Sequence, residues 1–288
     1  MTEPFPQPFR ELLRTILRRA PELRAATDPG VRARRRASSA SGTFAGHRDY
    51  APGDDLRAVD WNAYARTGEL FIKLLEEEER RVVTILLDRS PSMTTGDPER
   101  LLGALRLAAI LGGLALVRLD GVRVIYDTSE VTSLSGAAAL PRLLDALGRV
   151  SAAPQQPLDL LRPLLEAGWL GSVLWISDFA DPAAAAPALH LLRRHGRRCS
   201  AWLPSLAEDQ TTALRGLVRL VDPETGREEV FEADAAMRAA VDAELQRLAR
   251  HQDSVFAAAG YPLFRYPLPQ AGDWRLSSWF LSSWTSGF

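Results

Sequence analysis

The chain has 288 residues, 46% hydrophobic and 25% charged, with a formal net charge of −1 and one cysteine, Cys199. So even a balance excludes recruitment of nucleic acid or an anionic membrane by net charge, and a single thiol excludes an intrachain disulfide. The apolar content is ample for a buried core, so the length fits one large domain or a core with appended elements.

Residues 1–9 are polar and proline-containing, without the apolar run of a secretory signal. Over 8–26, Phe9, Leu12, Leu13, Ile16 and Leu17 fall at helical spacing. The basic stretch 32–41 comes next, with Arg34, Arg35 and Arg36 in succession. Its few charges and lack of interleaved aromatics read as a solvated linker or partner-facing edge rather than a nucleic-acid arm. Residues 42–79 are dense in turn formers: Pro52 fixes φ, Gly53 permits positive φ, and Asp54 and Asp55 cap the segment after them. Arg48, Asp49, Arg57 and Asp60 around Trp61 predict a packed polar network, with Trp61 fastening the block to the core. Residues 70–75 read as extended and 76–81 as a charged, solvated segment. The stretch 42–79 is either a subdomain of its own or a wrap around the sheet.

From Val82 onward strands and helices alternate. The run 82–87 is β-branched and aliphatic with no polar alternation, the pattern of a strand covered on both faces. A helix is expected over 99–119, strands over 122–126 and 130–134, and helices over 137–150 and 158–167. After them come a buried strand over 172–177, a helix over 183–195 and a strand over 199–203. The most apolar stretch, 101–119, carries Arg106 and Arg118 and so reads as a buried helix, not a membrane span. This repetition predicts an α/β fold: a doubly wound open sheet with a β-rich or irregular N-terminal extension. The expected domains are 1–80 (helix, linker and turn-rich extension), 81–205 (core) and 206–288. The last completes the core with a hairpin (217–221 and 228–231), a long helix (235–259) and a strand near 263–266. The aromatic, serine-rich end, 274–288, reads as a docking patch or a terminal helix packed on the core. A cytoplasmic protein is expected, without membrane insertion and without a nucleic-acid partner.

The sharpest chemical feature is Asp88-Arg89-Ser90-Pro91-Ser92-Met93, directly after the run 82–87. In open α/β sheets ligands sit at the carboxyl ends of strands. Asp88, Ser90 and Ser92 put one carboxylate and two hydroxyls on a tight loop, all hard oxygen donors suited to Mg2+ or Mn2+. Asp178 ends the strand expected at 172–177, with Asp181 three residues on. The competing reading of Asp88 and its serines is a helix N-cap and turn. The pairing of two strand ends favours a shared site.

This arrangement resembles the metal-ion-dependent adhesion site of von Willebrand factor A domains. There an Asp-x-Ser-x-Ser loop, a threonine from a second loop and an aspartate from a third surround a cation that accepts a partner's carboxylate. Asp88, Ser90 and Ser92 match the first loop and Asp178 the third. In place of the threonine loop the chain reads Ala153-Pro154-Gln155-Gln156-Pro157, so Gln155 or Gln156 is the candidate second-loop contributor. Asp181 and Arg89 are candidate partner-facing residues.

A longer match narrows the family. The block from Arg48 through Ala51-Pro52-Gly53-Asp54-Asp55 to Asp60-Trp61, the segment Ala65-Arg66-Thr67-Gly68-Glu69-Leu70, and Val221-Asp222-Pro223-Glu224-Thr225-Gly226 resemble the bacterial domain of unknown function 58 family. The resemblance implies a von Willebrand A-like protein associated with MoxR-type AAA+ ATPases: a non-enzymatic adaptor that binds a partner through its metal site. The alternatives are a metal-free interaction module and a metal-dependent hydrolase with Asp88 as nucleophile. Against the last, Ser90 stands where such hydrolases carry a second carboxylate; the absence of a Gly-x-x-x-x-Gly-Lys-Ser/Thr loop argues separately against nucleoside triphosphate hydrolysis by this chain. His190 and His195 read as solvated or boundary residues, and Cys199, Trp175 and Trp202 as core.

Overall fold

Apolar runs without alternation become the middle strands of a sheet covered on both faces, and they organise this chain. The computed structural model describes residues 3–27, 34–37, 43–78, 82–96, 99–118, 121–127, 131–166, 171–205 and 216–268. In chain order the elements begin with α1 (Gln7–Thr27), β1 (Arg34–Ala37), β2 (Thr43–Asp49), α2 (Trp61–Thr67), β3 (Phe71–Glu78) and β4 (Val82–Leu87). Next come α3 (Arg100–Val117), β5 (Gly121–Ile125), β6 (Val131–Ser135), α4 (Leu140–Gly148), α5 (Arg162–Glu166) and β7 (Gly171–Ile176). The chain continues through α6 (Pro182–Arg194), β8 (Arg198–Ser205), β9 (Gly216–Val221), β10 (Glu228–Ala233), α7 (Ala235–Ala259) and β11 (Leu263–Pro267). Two units result, one of Met1–Thr27 with Arg81–Phe288 and one of Asp28–Arg80.

The larger unit is a mixed α/β fold built on a six-stranded sheet of order β11-β8-β7-β4-β5-β6. All neighbours are parallel except β5 and β6, which run antiparallel. Side chains alternate between two cores: Val83, Ile85 and Leu87 of β4 face one, Leu86 the other. On β7, Leu174 and Ile176 face the first core, and Val173 and Trp175 the second. Helices α1, α3 and α4 supply the first core, and α5, α6 and α7 the second. Helix α3 is apolar on every side because it is enclosed; 78% of its most apolar window is buried. By length and composition alone it would also suffice to cross a membrane.

Residues 1–80, read as one extension, divide. Helix α1 buries Phe9, Leu13, Ile16 and Leu17 with the α3 residues, and Arg106 of α3 donates to Pro4 O at 2.9 Å. An amphipathic helix with such a face belongs with a core, whatever its place in the chain. The expected helix at 158–167 is shorter: a 3-10 turn at Asp159–Leu161 leads into the five-residue α5, whose first turn holds Pro163. The end of the chain, 274–288, lies outside the described residues.

The smaller unit carries an antiparallel sheet of order β1-β3-β2. The arginine run, expected as a solvated linker or a partner-facing edge, forms the edge strand of this sheet: Arg34, Arg35 and Arg36 stand in register with Glu78, Glu77 and Glu76. Around the turn, Arg48 donates twice to the Asp54 carboxylate at 2.6 Å, and Ala51 N donates to it at 2.8 Å. Asp60 caps α2 through the Asn62 and Ala63 amides and bonds His47 Nε2 at 2.8 Å. Trp61, expected to fasten this block, is instead 58% exposed, edge-on to Tyr64 at 6.1 Å.

Candidate functional site

Strand order decides where a ligand sits. From β4 the chain crosses through α3 to β5 on one side, and later returns through β7 on the other. The loops leaving β4 and β7 therefore part in opposite directions at the carboxyl edge, the crevice in which open α/β sheets bind ligands. Register makes them level: Leu87 pairs with Ile176, and Asp88 N donates to Ile176 O at 2.9 Å.

The first loop folds on its own polar groups. Asp88 Oδ1 accepts from Ser90 N at 2.8 Å, and a 3-10 turn at Pro91–Thr94 brings Ser92 Oγ within 3.0 Å of Ser90 Oγ. Ser177, the last buried polar residue before the β7 loop, donates from Oγ to Asp88 Oδ2 at 2.5 Å and accepts from Phe179 N at 3.0 Å. Phe179 takes φ 48°, unusual for a residue with a β-carbon. It is held there by Trp175 and Phe256, at ring distances of 5.5 and 4.8 Å. Behind it, Gln252 of α7 donates from Nε2 to the carbonyls of Asp178 and Phe179, each at 3.1 Å. Three loops thus converge on a pocket of about 340 Å³ lined by Asp88, Ser90, Ser92, Gln155, Gln156, Asp178, Asp181 and Glu224 among others.

The sequence-expected residues play unequal parts there. Asp88, Ser90, Ser92 and Asp178 share the pocket. Gln155 fastens loops: its Oε1 accepts from Arg89 N at 3.1 Å and its Nε2 donates to Tyr126 O at 2.6 Å, beside an Ala153 N to Arg89 O bond at 2.8 Å. Gln156 lines the pocket with an exposed side chain. Asp181 lines it too, while its carboxylate caps α6 through the Ala183 and Ala184 amides. Arg89 does not join the pocket; it pairs with Asp127, its side chain 17% exposed. The residues sequence reasoning missed are Ser177, Gln252 and Glu224. Ser177 is adjacent to Asp178 and was within reach. Gln252 arrives from a distant element with no local signal, and Glu224 lies in a turn that is plain in the sequence although its direction is not.

The electrostatics suit a cation. Burial raises the Asp178 carboxyl above its ordinary range and the neighbouring Asp88 raises it further, partly offset by the Ala180 amide and the Ser92 hydroxyl. Two carboxylates in a partly desolvated pocket carry charge that a divalent ion neutralises. Among the described residues no group of three or more His, Cys, Asp or Glu is placed to hold a metal. A hard cation here would rely on serine hydroxyls and water to fill its shell. The donor set fits Mg2+ or Mn2+: carboxylate and hydroxyl oxygens, with no soft ligand.

The family model of DUF58, a protein of unknown function, matches residues 46–253. The chain belongs to the DUF58 family. That match spans the three-loop pocket, from the turn block before β4 to Gln252. No curated protein matches the DUF58 chain. Solved structures similar to it include the conserved hypothetical protein BatB from Bacteroides thetaiotaomicron, at 15% identity and a TM-score of 0.38, covering 72% of this chain and 96% of that one. Another is an aerotolerance-related membrane protein from Bacteroides fragilis NCTC 9343, at 16% identity and a TM-score of 0.37, covering 72% and 95%. Likeness of this degree assigns neither an activity nor a partner to the DUF58 chain.

Proposed function

We propose that this DUF58 chain is a non-enzymatic adaptor with a von Willebrand A-like core, gripping an acidic side chain of a partner protein through a cation at the sheet edge. The partner class is a MoxR-type AAA+ ATPase, and the site of action is the cytoplasm. The observation that carries the reading is the meeting of Asp88, Ser90, Ser92 and Asp178 in one pocket where the loops of β4 and β7 part. In this reading those four residues hold Mg2+ or Mn2+, and Asp181 lies at the rim toward the partner. The cation, when bound, supplies an electrophilic position for a partner carboxylate. The chain's own part is to fix the oxygens: Ser177 orients Asp88, and Gln252 secures the backbone at Asp178. Gln155, committed to Arg89 N and Tyr126 O, keeps the first two loops in register.

The test pairs metal uptake with partner capture. Wild type should bind Mn2+ in calorimetry, and Ser90→Ala/Ser92→Ala should bind it about tenfold more weakly or not at all. A purified MoxR-type ATPase from the same genome should bind wild type in Mg2+, and lose that binding in chelator or with the double variant. Capture of the ATPase equally under all four conditions would leave a metal-free interaction module, the second reading. Absence of capture by wild type in Mg2+ would remove the ATPase as partner.

A further inference from the structure

One contact in the pocket comes from far away in the chain. Glu224 Oε1 accepts a hydrogen bond from the backbone N of Ser92 at 2.9 Å, although the two residues are 132 positions apart. Glu224 sits in the turn between β9 and β10 and lines the same pocket as Asp88, Ser90, Ser92 and Asp178.

The turn is built to present that side chain. Asp222 Oδ1 accepts from Glu224 N at 2.9 Å, Asp222 Oδ2 accepts from the Thr225 hydroxyl at 2.6 Å, and Gly226, at φ 71°, donates from N to Asp222 O at 2.8 Å. The Asp222 N to Arg227 O bond at 2.8 Å closes the loop. A rigid turn thus carries a carboxylate at its apex, aimed at the amide of the second serine of the β4 loop.

The hairpin body is lightly anchored, with Ala233 at the end of β10 its one buried residue. A lone two-stranded hairpin is marginal in water. Here Leu217 is 78% exposed and Val230 58%, on strands that also expose Val221. The strands bury little, so the charge-assisted bond at the tip is a large share of what seats the hairpin on the pocket.

We propose that the β9–β10 hairpin is an intrachain plug: Glu224 presents its carboxylate where the pocket takes a partner's carboxylate, and a partner binds by displacing the hairpin tip. This rests on the reading of the pocket as a carboxylate-accepting site. The isolated chain is then self-liganded, and its apparent affinity for an acidic partner is reduced by the fraction of molecules with the tip lifted.

The experiment uses the full chain in Mg2+ and a single-carboxylate probe, acetyl-Gly-Glu-Gly-amide, with the Ser92 backbone amide followed by NMR. Acetyl-Gly-Gln-Gly-amide is the control, and hydrogen exchange over 216–233 reports whether the hairpin stays folded. Glu224→Ala should bind the glutamate probe at least about tenfold more tightly than wild type, as expected when the open state is a tenth or less of the population. Glu224→Gln keeps an acceptor for the Ser92 amide but removes the charge, so it guards against a hairpin lost by truncation and should also bind the probe more tightly. Equal binding of the glutamate probe by wild type and both variants overturns the plug while leaving the carboxylate site standing. Failure of all three proteins to bind it overturns the carboxylate-accepting site, and the plug with it.

Discussion

Gln252, on the last long helix, donates to the carbonyl of Asp178 at 3.1 Å and so holds the β7 loop of the site from behind. Both residues of that loop whose carbonyls it satisfies, Asp178 and Phe179, precede Gln252 by more than seventy positions. Gln252 is only 4% exposed, so a change to an apolar side chain would leave those carbonyls without a donor in a packed interior.

Gln252→Leu should therefore cost about 1–3 kcal/mol, the penalty for leaving buried acceptors unpaired. The same variant should weaken Mn2+ binding about tenfold, the usual effect of losing an outer support of a ligand. Urea unfolding and Mn2+ calorimetry read the two. A variant that loses stability but keeps the wild-type Mn2+ affinity would show that the loop geometry does not depend on α7.

Ser177→Ala removes a donor to Asp88 Oδ2 and the acceptor of the buried Phe179 amide. The expected loss is again about 1–3 kcal/mol in urea unfolding. Asp88→Asn is the companion measurement. If Ser177 acts through Asp88, the two losses should be clearly less than additive in the double variant. Full additivity would separate the residues.

The smaller unit should respond to acid. The hydrogen bond from His47, foremost, together with the Ala63 and Asn62 amides, lowers the Asp60 carboxyl to about 2; Arg48, foremost, and the Ala51 amide lower Asp54 to about 2. A carboxyl lowered by folding contributes stability that is complete above its unfolded value, near 4, and is lost as the pH falls toward the folded value. Carboxyl 13C titration should place both midpoints near 2. Asp60→Asn should flatten the acid-side decline of this unit between those values. Midpoints near 4 would contradict the observed bonding.

Gly171 opens β7 opposite Val82, and a β-carbon there would lie 2.1 Å from the Val82 carbonyl oxygen. Backbone cannot yield as a side chain can, so Gly171→Ala should destabilise by about 1–3 kcal/mol. Gly148, whose β-carbon would meet nothing within 4 Å, is the control. Gly148→Ala should be neutral or stabilising by up to about 1 kcal/mol, as for an exposed helical glycine with open space around it. Thermal unfolding of the pair compares them directly.

Much of the sheet was legible because burial on both faces leaves a plain mark. Val82–Leu87 and Gly171–Ile176 lie where the sequence shows short, largely apolar runs without alternation, and Asp88 and Asp178 come at the ends of those strands. Less legible was anything set by partners distant in sequence. The arginines of β1 look like a linker until the glutamates of β3 are laid beside them. Trp61 reads as an anchor by its size, yet α2 turns it outward beside Tyr64. Gln155 reads in sequence as a source of one oxygen; in the fold both ends of its amide group join loops. Glu224 lies in a turn that sequence announces, but the direction of that turn is a property of the folded hairpin.

Asp88 and Ser177 are 89 residues apart, and Ser92 and Glu224 are 132. As a nascent chain leaves the ribosome, β4 waits through two strands and three helices before β7 arrives beside it. No fragment ending before Ser177 holds the assembled pocket. The hairpin bearing Glu224 emerges later still, and Gln252 after it, so newly made molecules pass through an interval in which the β4 and β7 loops have been made but neither the hairpin nor the α7 support has. A partner engaging during synthesis would meet no competitor, whereas one engaging the finished protein would have to unseat one.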